Sequence, residues 1–222
     1  MSKLVLMSKM LSTYNSIFPG NPKNVLFNYT RIPLGDVSNS YVALIHSHNG
    51  THLDVPFHFF EDGKKLTDYS VRELIFTRVK IVEVEGVQNN YLNIDDLQLT
   101  LLEKETEVLI IKVHYCSNIG KNEGKTVKNV GLSAEAAQFI RDKTKLKLIG
   151  TDSISISHPE NPKEGMQAHR ILLSSNVKSE PVLILEDMEI PINIKEVERL
   201  FICPLWGLFP DGGPCSVIAE VP

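Results

Sequence analysis

The stretch HSHNGTHLDVPFHF, residues 46–59, constrains the fold more than any other part of the chain, because it joins metal-binding side chains to residues that exclude a helix. It holds four of the seven histidines among the 222 residues. Gly50 separates the second and third of these histidines, and Pro56 follows soon after, and both residues disfavour helical continuity. We therefore expect a strand that runs into a loop.

Side chains alternate along an extended chain, so His48, His52 and Asp54 can converge on one side of it. Two imidazoles and a carboxylate form an open site that suits Zn²⁺, Mn²⁺ or Fe²⁺ and leaves positions for water and substrate. His58, beyond the proline, is free to donate or accept a proton beside this site. His46 would point to the same side of an extended chain, so its position alone does not exclude it from the site.

The structural alternative is a half-exposed strand whose polar side chains are simply hydrogen-bonded. That interpretation suits a single histidine. It suits this cluster poorly, because neighbouring imidazoles repel one another when protonated and are costly to bury unpaired. The cluster therefore indicates a metal or catalytic site.

The remaining pattern is that of an α/β protein. Short apolar, β-branched runs predict buried strands at 78–84, 107–113, 146–150, 181–185 and 216–221. Helices are predicted at 93–104 and 132–143, with Asn93 and Ser133 as N-caps. Alternating strands and helices favour an α/β fold, and the length and 42% hydrophobic content fit one domain over residues 1–222.

Charge and cysteine usage limit the partners and the compartment. The net charge is −4, and the sequence has no cluster of lysines and arginines interleaved with aromatic residues. We therefore expect no nucleic-acid partner. The N-terminus lacks the apolar centre of a secretory signal, and no run approaches the ~18 apolar residues of a membrane span. Cys116, Cys203 and Cys215 lack Cys-x-x-Cys spacing, which favours reduced thiols and a cytoplasmic location.

The string HNGTHLDVPFHF (48–59) resembles the signature His-x-Gly-Thr-His-x-Asp-x-Pro-x-His of the metal-dependent cyclase-like hydrolase family, which includes bacterial kynurenine formamidase and isatin hydrolase. Every fixed position of the signature is present. Further similarity covers most of the chain, in the segments 11–22, 131–140, 150–157 and 210–214.

This resemblance implies a swivelling β/β/α domain, with a mixed sheet and flanking helices. It implies that His48, His52 and Asp54 bind one or two divalent ions per subunit, Zn²⁺ or Mn²⁺, and that His58 is the catalytic histidine. It also implies a homodimer or homotetramer that acts on a small-molecule substrate.

The family's two-metal members have a later histidine and glutamate. The best matches are His169 and Glu186. Because the segment 177–181 resembles a small insertion that shifts the spacing, Glu180 and Asp187 remain alternatives to Glu186.

Two departures from the family pattern concern the substrate. Ser157 stands where relatives commonly have an aspartate, and Cys215 and Ser216 stand where many have an arginine. Losing an arginine removes a bidentate carboxylate clamp. We expect hydrolysis of an amide C–N bond, in an aryl formamide such as N-formylkynurenine or in a cyclic amide. The alternative is a catalytically inactive metal-binding module of the same fold, with a binding or regulatory role.

Cys215 is a second candidate nucleophile, because it lies in a glycine-rich turn where a thiol could be exposed. No separate base is indicated for it, and single cysteines are mostly inert. We therefore expect no catalysis by this thiol.

Overall fold

The structure is a computed structural model that describes residues 2–15, 17–84, 90–99, 102–113, 129–175 and 180–222. The strands in these ranges are β1 (Lys3–Leu6), β2 (Val25–Thr30), β3 (Ser40–Leu44), β4 (His52–Asp54), β5 (Ile75–Phe76), β6 (Val79–Glu83), β7 (Tyr91–Leu92), β8 (Val108–Lys112), β9 (Gly131–Leu132), β10 (Leu148–Thr151), β11 (Leu183–Glu186), β12 (Arg199–Pro204) and β13 (Gly212–Val221). The α-helices are α1 (Ala134–Lys143) and α2 (Pro162–Leu173).

A mixed sheet organises the described residues, in the order β5-β12-β13-β4-β11-β10-β8-β6, with β1 also paired to β13. The strands β6, β8, β10 and β11 are parallel, whereas β4 is antiparallel to both of its neighbours, β11 and β13. The short strand that carries His52 and Asp54 therefore lies in the interior of the sheet, where its parallel and antiparallel parts meet.

Alternation along the strands separates two apolar cores. In β8, Leu109 and Ile111 pack with helix residues, whereas Val108 and Ile110 pack on the opposite face. Strands buried on both faces are expected to be apolar, as residues Val108 to Ile111 of β8 are, before the strand ends at Lys112. In β4, Leu53 belongs to the second core, so the side chains before and after it face the helices. This alternation sets the site on the helical side of the sheet.

Helix α1 confirms the helix predicted at 132–143. Its N-cap is Ser133, whose Oγ accepts a hydrogen bond from the backbone N–H of Ala136 at 3.1 Å. Helix α2 was not predicted, although Pro162 in its first turn and Glu164 shortly after it are typical of a helix N-terminus. Its buried face carries His169.

The helix predicted at 93–104 is wrong over the described part of that segment, where residues 94–98 form turns. Gln98 has a φ of 50°, in the left-handed region. Leu97 and Leu99 are both buried in the helix-side core, and side chains two positions apart cannot share one face of an α-helix. Burial of both leucines therefore favours the turns.

The five predicted strands are confirmed by β6, β8, β10, β11 and β13. In the described ranges, none of the helices combines the length and apolar character that a membrane crossing demands. Cys116 and residues 177–179 of the apparent insertion lie outside the described residues.

Two pairs of strands stand apart from the main sheet, and one of them is the parallel pair of β7 and β9. β2 and β3 pair only with each other, antiparallel, among the described residues. We call residues 25–44 the ribbon. Immediately after it, the chain enters the histidine-rich stretch.

Candidate metal centre and active site

β4 and β11 place two site residues directly opposite each other. In their antiparallel register, His52 pairs with Glu186, so both side chains lie on the same face. His52 Nε2 lies 3.3 Å from Glu186 Oε2 and 3.5 Å from Asp54 Oδ1. His52 Nδ1 donates to the carbonyl of Gly50 at 2.8 Å. This bond orients the His52 ring so that its Nε2 faces the two carboxylates.

Helix α2 brings His169 to the same point from the opposite side. His169 Nδ1 donates to the carbonyl of Gly165 at 2.7 Å, and its Nε2 lies 3.3 Å from Glu186 Oε1 and 3.6 Å from Asp54 Oδ2. The helix approaches closely because Gly165 has no side chain. A Cβ there would lie 2.3 Å from the Cα of Ser157.

Glu186, rather than either alternative, faces this cluster. Its Oε1 accepts a hydrogen bond from Ser155 Oγ at 3.0 Å and another from the backbone N–H of Ile156 at 2.7 Å. Asp187 forms an ion pair with Lys9 instead, and Glu180 is exposed. Backbone and hydroxyl donors thus hold the Glu186 carboxylate in place.

A second group of side chains adjoins the first through Asp54. His48 Nδ1 lies 2.8 Å from Asp54 Oδ1, and its Nε2 lies 2.7 Å from Asp211 Oδ2. The His58 ring is stacked at a tilt on His48, with centroids 3.9 Å apart, and its Nδ1 is 3.8 Å from Asp211 Oδ2. Ser47 Oγ also donates to Asp211 Oδ2, at 3.2 Å.

His48 reaches the site from a turn, not from the strand. β4 includes only residues 52–54, and Gly50 has a φ of 73°, which turns the chain. The prediction that His48, His52 and Asp54 converge is confirmed. The predicted reason, alternation along one extended strand, applies only to the last two of them.

The carboxylates and imidazoles of the site shift one another's pKa values. Burial alone would lower the pKa of His48, but Asp54 and Asp211 outweigh it and raise that pKa to about 10. Burial opposes ionisation of Asp54, yet the neighbouring imidazoles, His48 foremost, lower its pKa. The buried negative charge is therefore balanced by protonated imidazoles, and a bound cation can take over that balancing role.

His58 has the opposite environment. Burial lowers its pKa to about 4, although Asp54 acts in the other direction. The ring is therefore neutral at neutral pH and can accept a proton. Its side chain keeps 28% of its surface exposed, so a ligand can reach it.

The site opens into a cavity of about 420 Å³. The apolar residues of its lining are Phe18, Phe59, Ile154, Pro162 and Met166. Among the described residues, no lysine or arginine lines this cavity. A ligand with an apolar group and no anionic group therefore matches this lining.

Cys215 is not part of this lining. Burial raises the pKa of its thiol, and only the thiolate is an effective nucleophile. The expectation that this cysteine does not act in catalysis agrees with its environment.

The structure brings together all the site residues predicted from the sequence, which are His48, His52, Asp54, His58, His169 and Glu186. His46, whose role was left open, lines the same cavity, with its ring centroid 5.9 Å from that of His48. Sequence reasoning missed Asp211, which contacts two of the histidines. The one sequence feature that could have pointed to Asp211 is its position in the glycine-rich turn at residues 210–214.

The chain matches a known family model over residues 8–158, that of the Cyclase family, "Putative cyclase". A kynurenine formamidase from Bacillus cereus is 27% identical over 218 residues, which cover 98% of this chain and 97% of the relative.

Solved structures share the fold. A "potential metal-dependent hydrolase with cyclase activity" matches with a TM-score of 0.76 at 18% identity, over 99% of this chain and 98% of the other. An isatin hydrolase bound to thioisatinate matches with a TM-score of 0.77 at 16% identity, over 100% and 93% of the two chains. The predicted cyclase-like α/β fold is thus confirmed, and the chain belongs to the cyclase family.

Proposed function

We propose that this protein is a metal-dependent hydrolase that cleaves the C–N bond of an amide, either an aryl formamide or a cyclic amide. The observation that carries the proposal is the buried cluster of His52, Asp54, His169 and Glu186 beside an open cavity. Full-length similarity to a kynurenine formamidase supports the same reaction class.

The buried donors fit a divalent cation. Asp54 and Glu186 are 1% and 3% exposed, and two carboxylates at such depth need positive charge close by. Imidazole nitrogens and carboxylate oxygens together suit Zn²⁺ or Mn²⁺. The hydrogen bonds from the Nδ1 atoms of His52 and His169 to backbone carbonyls are those of metal-binding histidines.

We assign His48, His52, Asp54, His169 and Glu186 as the residues that would hold one or two ions. Asp54 belongs to both groups of potential ligands, the group with His48 and the group with Glu186. When bound, such an ion supplies Lewis acidity, which polarises a carbonyl and makes water a stronger acid.

His58 is the acid and base of the proposed reaction. Its neutral ring takes a proton from water as the water oxygen attacks the carbonyl carbon. It then gives that proton to the amide nitrogen as the C–N bond breaks. A formamide thus yields formic acid and an amine, the acid then releases a proton to solvent to become formate, and the histidine returns to its neutral state.

Asp211 positions the imidazoles for this task. Its Oδ2 accepts from His48 Nε2 and lies near His58 Nδ1, so a single carboxylate orients both stacked rings. Such partners of a metal-binding histidine set the tautomer and orientation of the ring. Asp211 is therefore a positioning residue, since it acts through His48 and His58.

The cavity favours substrates without a carboxylate. The apolar lining residues can contact an aromatic ring, but the described lining offers no guanidinium or ammonium to pair with a carboxylate group. We propose that a neutral aryl formamide or cyclic amide is a better substrate than N-formylkynurenine.

The test is to load the purified protein with Zn²⁺ or Mn²⁺ and to measure hydrolysis of formanilide, isatin and N-formylkynurenine. We expect hydrolysis, with a larger kcat/KM for a neutral substrate than for N-formylkynurenine. Full metal binding without hydrolysis of any of them would favour an inactive metal-binding module. The sequence features that favour this alternative are Ser157, in place of a common aspartate, and Cys215 and Ser216, where many relatives have an arginine.

A further inference from the structure

We propose that Asn129 is a positioning residue of the metal centre, an inference that rests on the function proposed above. Asn129 does not line the cavity of the site, and it is only 2% exposed. It acts through residues 153–157, which we call the serine segment. This segment lies shortly after β10 and contributes Ile154, Ser155 and Ser157 to the cavity lining.

The side-chain amide of Asn129 is hydrogen-bonded to the backbone of the serine segment at three points. Its Nδ2 donates to the carbonyl oxygen of Ser155 at 2.9 Å and to that of Ser157 at 2.6 Å. Its Oδ1 accepts from the backbone N–H of Ser155 at 3.1 Å. Two carbonyls need donors and one N–H needs an acceptor, and a carboxamide offers both. A carboxylate of the same shape has no hydrogen to donate.

The serine segment depends on such partners because it is buried and irregular. Residues 153–157, all within the described ranges, belong to no helix or strand, and each of them is at most 8% exposed. Buried backbone N–H and C=O groups need hydrogen-bond partners. Asn129 supplies three of these partners, so we expect the conformation of the segment to depend on this one side chain.

One consequence reaches Glu186. The hydroxyl of Ser155 accepts from the backbone N–H of Ser157 at 3.0 Å, and this directs its own hydrogen toward Glu186 Oε1. The backbone N–H of Ile156 donates to the same oxygen. Asn129 fixes the backbone on both sides of Ile156. It therefore holds the two donors that hold the Glu186 carboxylate.

A second consequence reaches His169. Helix α2 packs against the serine segment where Gly165 faces Ser157, since a Cβ on Gly165 would lie 2.3 Å from Ser157 Cα. The carbonyl of Gly165 accepts from His169 Nδ1. A shift of Ser157 would therefore move the helical turn that orients this imidazole. One buried amide thus supports both ligands that come from distant parts of the sequence, His169 and Glu186.

The experiment compares the Zn²⁺ affinities of the folded proteins, by competitive titration, for the wild type, Asn129→Asp and Asn129→Ala. Asn129→Asp keeps the shape and the acceptor of the side chain but loses both donors. We expect each variant to bind Zn²⁺ about 10-fold or more weakly, as when other indirect partners of metal ligands are removed. The matched control is Val217→Ala, in the core on the opposite face. It should lower the urea midpoint of unfolding but keep the wild-type affinity.

The route through Ser155 is tested in a Ser155→Ala background. There, Asn129→Asp should lower the Zn²⁺ affinity by a smaller factor than in the wild type, because the hydroxyl link to Glu186 is already lost. Substitutions within one hydrogen-bond network are not additive. An equal factor in both backgrounds would overturn the proposal.

The remaining outcomes separate this inference from the proposed function. Wild-type Zn²⁺ affinity in both folded Asn129 variants overturns the inference alone, whereas a wild-type protein that binds no ion overturns the metal centre as well. Circular dichroism shows whether the variants fold. Loss of the fold in both Asn129 variants, or an equal loss of affinity in Val217→Ala, would mean that Asn129 supports only the fold as a whole, and would also overturn the proposal.

Discussion

Replacing Gly165 by alanine should destabilise the protein and loosen the metal centre, although alanine is the better helix former. The added Cβ would lie 2.3 Å from Ser157 Cα and 2.4 Å from Ser157 Oγ, far inside the ~3.5–4.0 Å of a normal carbon contact. Helix α2 must therefore move away from the segment that holds Glu186.

The magnitude follows from two opposing effects. Overpacking of a filled site costs roughly 1–3 kcal/mol, and the helix gains about 1 kcal/mol when alanine replaces glycine. The difference is a net loss of roughly 0–2 kcal/mol in the free energy of unfolding, and we expect the upper part of this range because the added Cβ would meet the backbone Cα of Ser157 at 2.3 Å. Because His169 hydrogen-bonds to the carbonyl of residue 165, metal affinity should also fall, by about 10-fold or more.

The assay is urea unfolding of metal-free protein, followed by a competitive Zn²⁺ titration of the folded variant. Gln167→Ala is the matched control, since residue 167 is exposed on the same helix, and its free energy of unfolding should stay within about 0.5 kcal/mol of wild type. If Gly165→Ala were as stable as wild type and bound Zn²⁺ equally well, the close approach of α2 would not be needed to build the site.

Three further outcomes are expected. His58→Ala should keep the wild-type metal content while kcat falls by about 10²-fold or more; unchanged turnover would remove His58 from the reaction. Asp211→Asn should weaken metal binding by about 10-fold and lower kcat, whereas the exposed control Asp62→Asn should do neither; equal metal titrations for the two variants would contradict the positioning role. Burial raises the pKa of the Cys215 thiol, so iodoacetamide at mildly alkaline pH should modify the exposed Cys203 and should react with Cys215 only after the protein unfolds. Peptide mapping that finds Cys215 modified first would refute this.

Local chemistry predicts one half of the site. His48, His52, Asp54 and His58 lie within a short stretch where glycine and proline exclude a helix, so their proximity can be read from the sequence. His169 and Glu186 could be found only through the family resemblance. They come from distant segments, and only the packing of α2 against β11 brings them to Asp54.

Other features depend on tertiary structure that local patterns do not reveal. The pattern at 93–104 satisfies the rules for a helix, but burial of both Leu97 and Leu99 favours turns. Asp211 looks like an ordinary turn residue beside two glycines, and its contacts with His48 and His58 exist only after folding. The strands of the ribbon resemble core strands in composition, and only the fold shows that nothing within the described residues covers them.

The most direct test is to measure metal content and metal–ligand distances in the purified protein after dialysis against Zn²⁺ or Mn²⁺, beside an Asp54→Ala variant. We predict at least one tightly bound ion per chain, with nitrogen and oxygen ligands at about 2.0–2.2 Å for Zn²⁺, and loss of the ion in the variant. A wild-type protein that folds but retains no ion, or an Asp54→Ala variant that binds as much metal as wild type, would contradict the account.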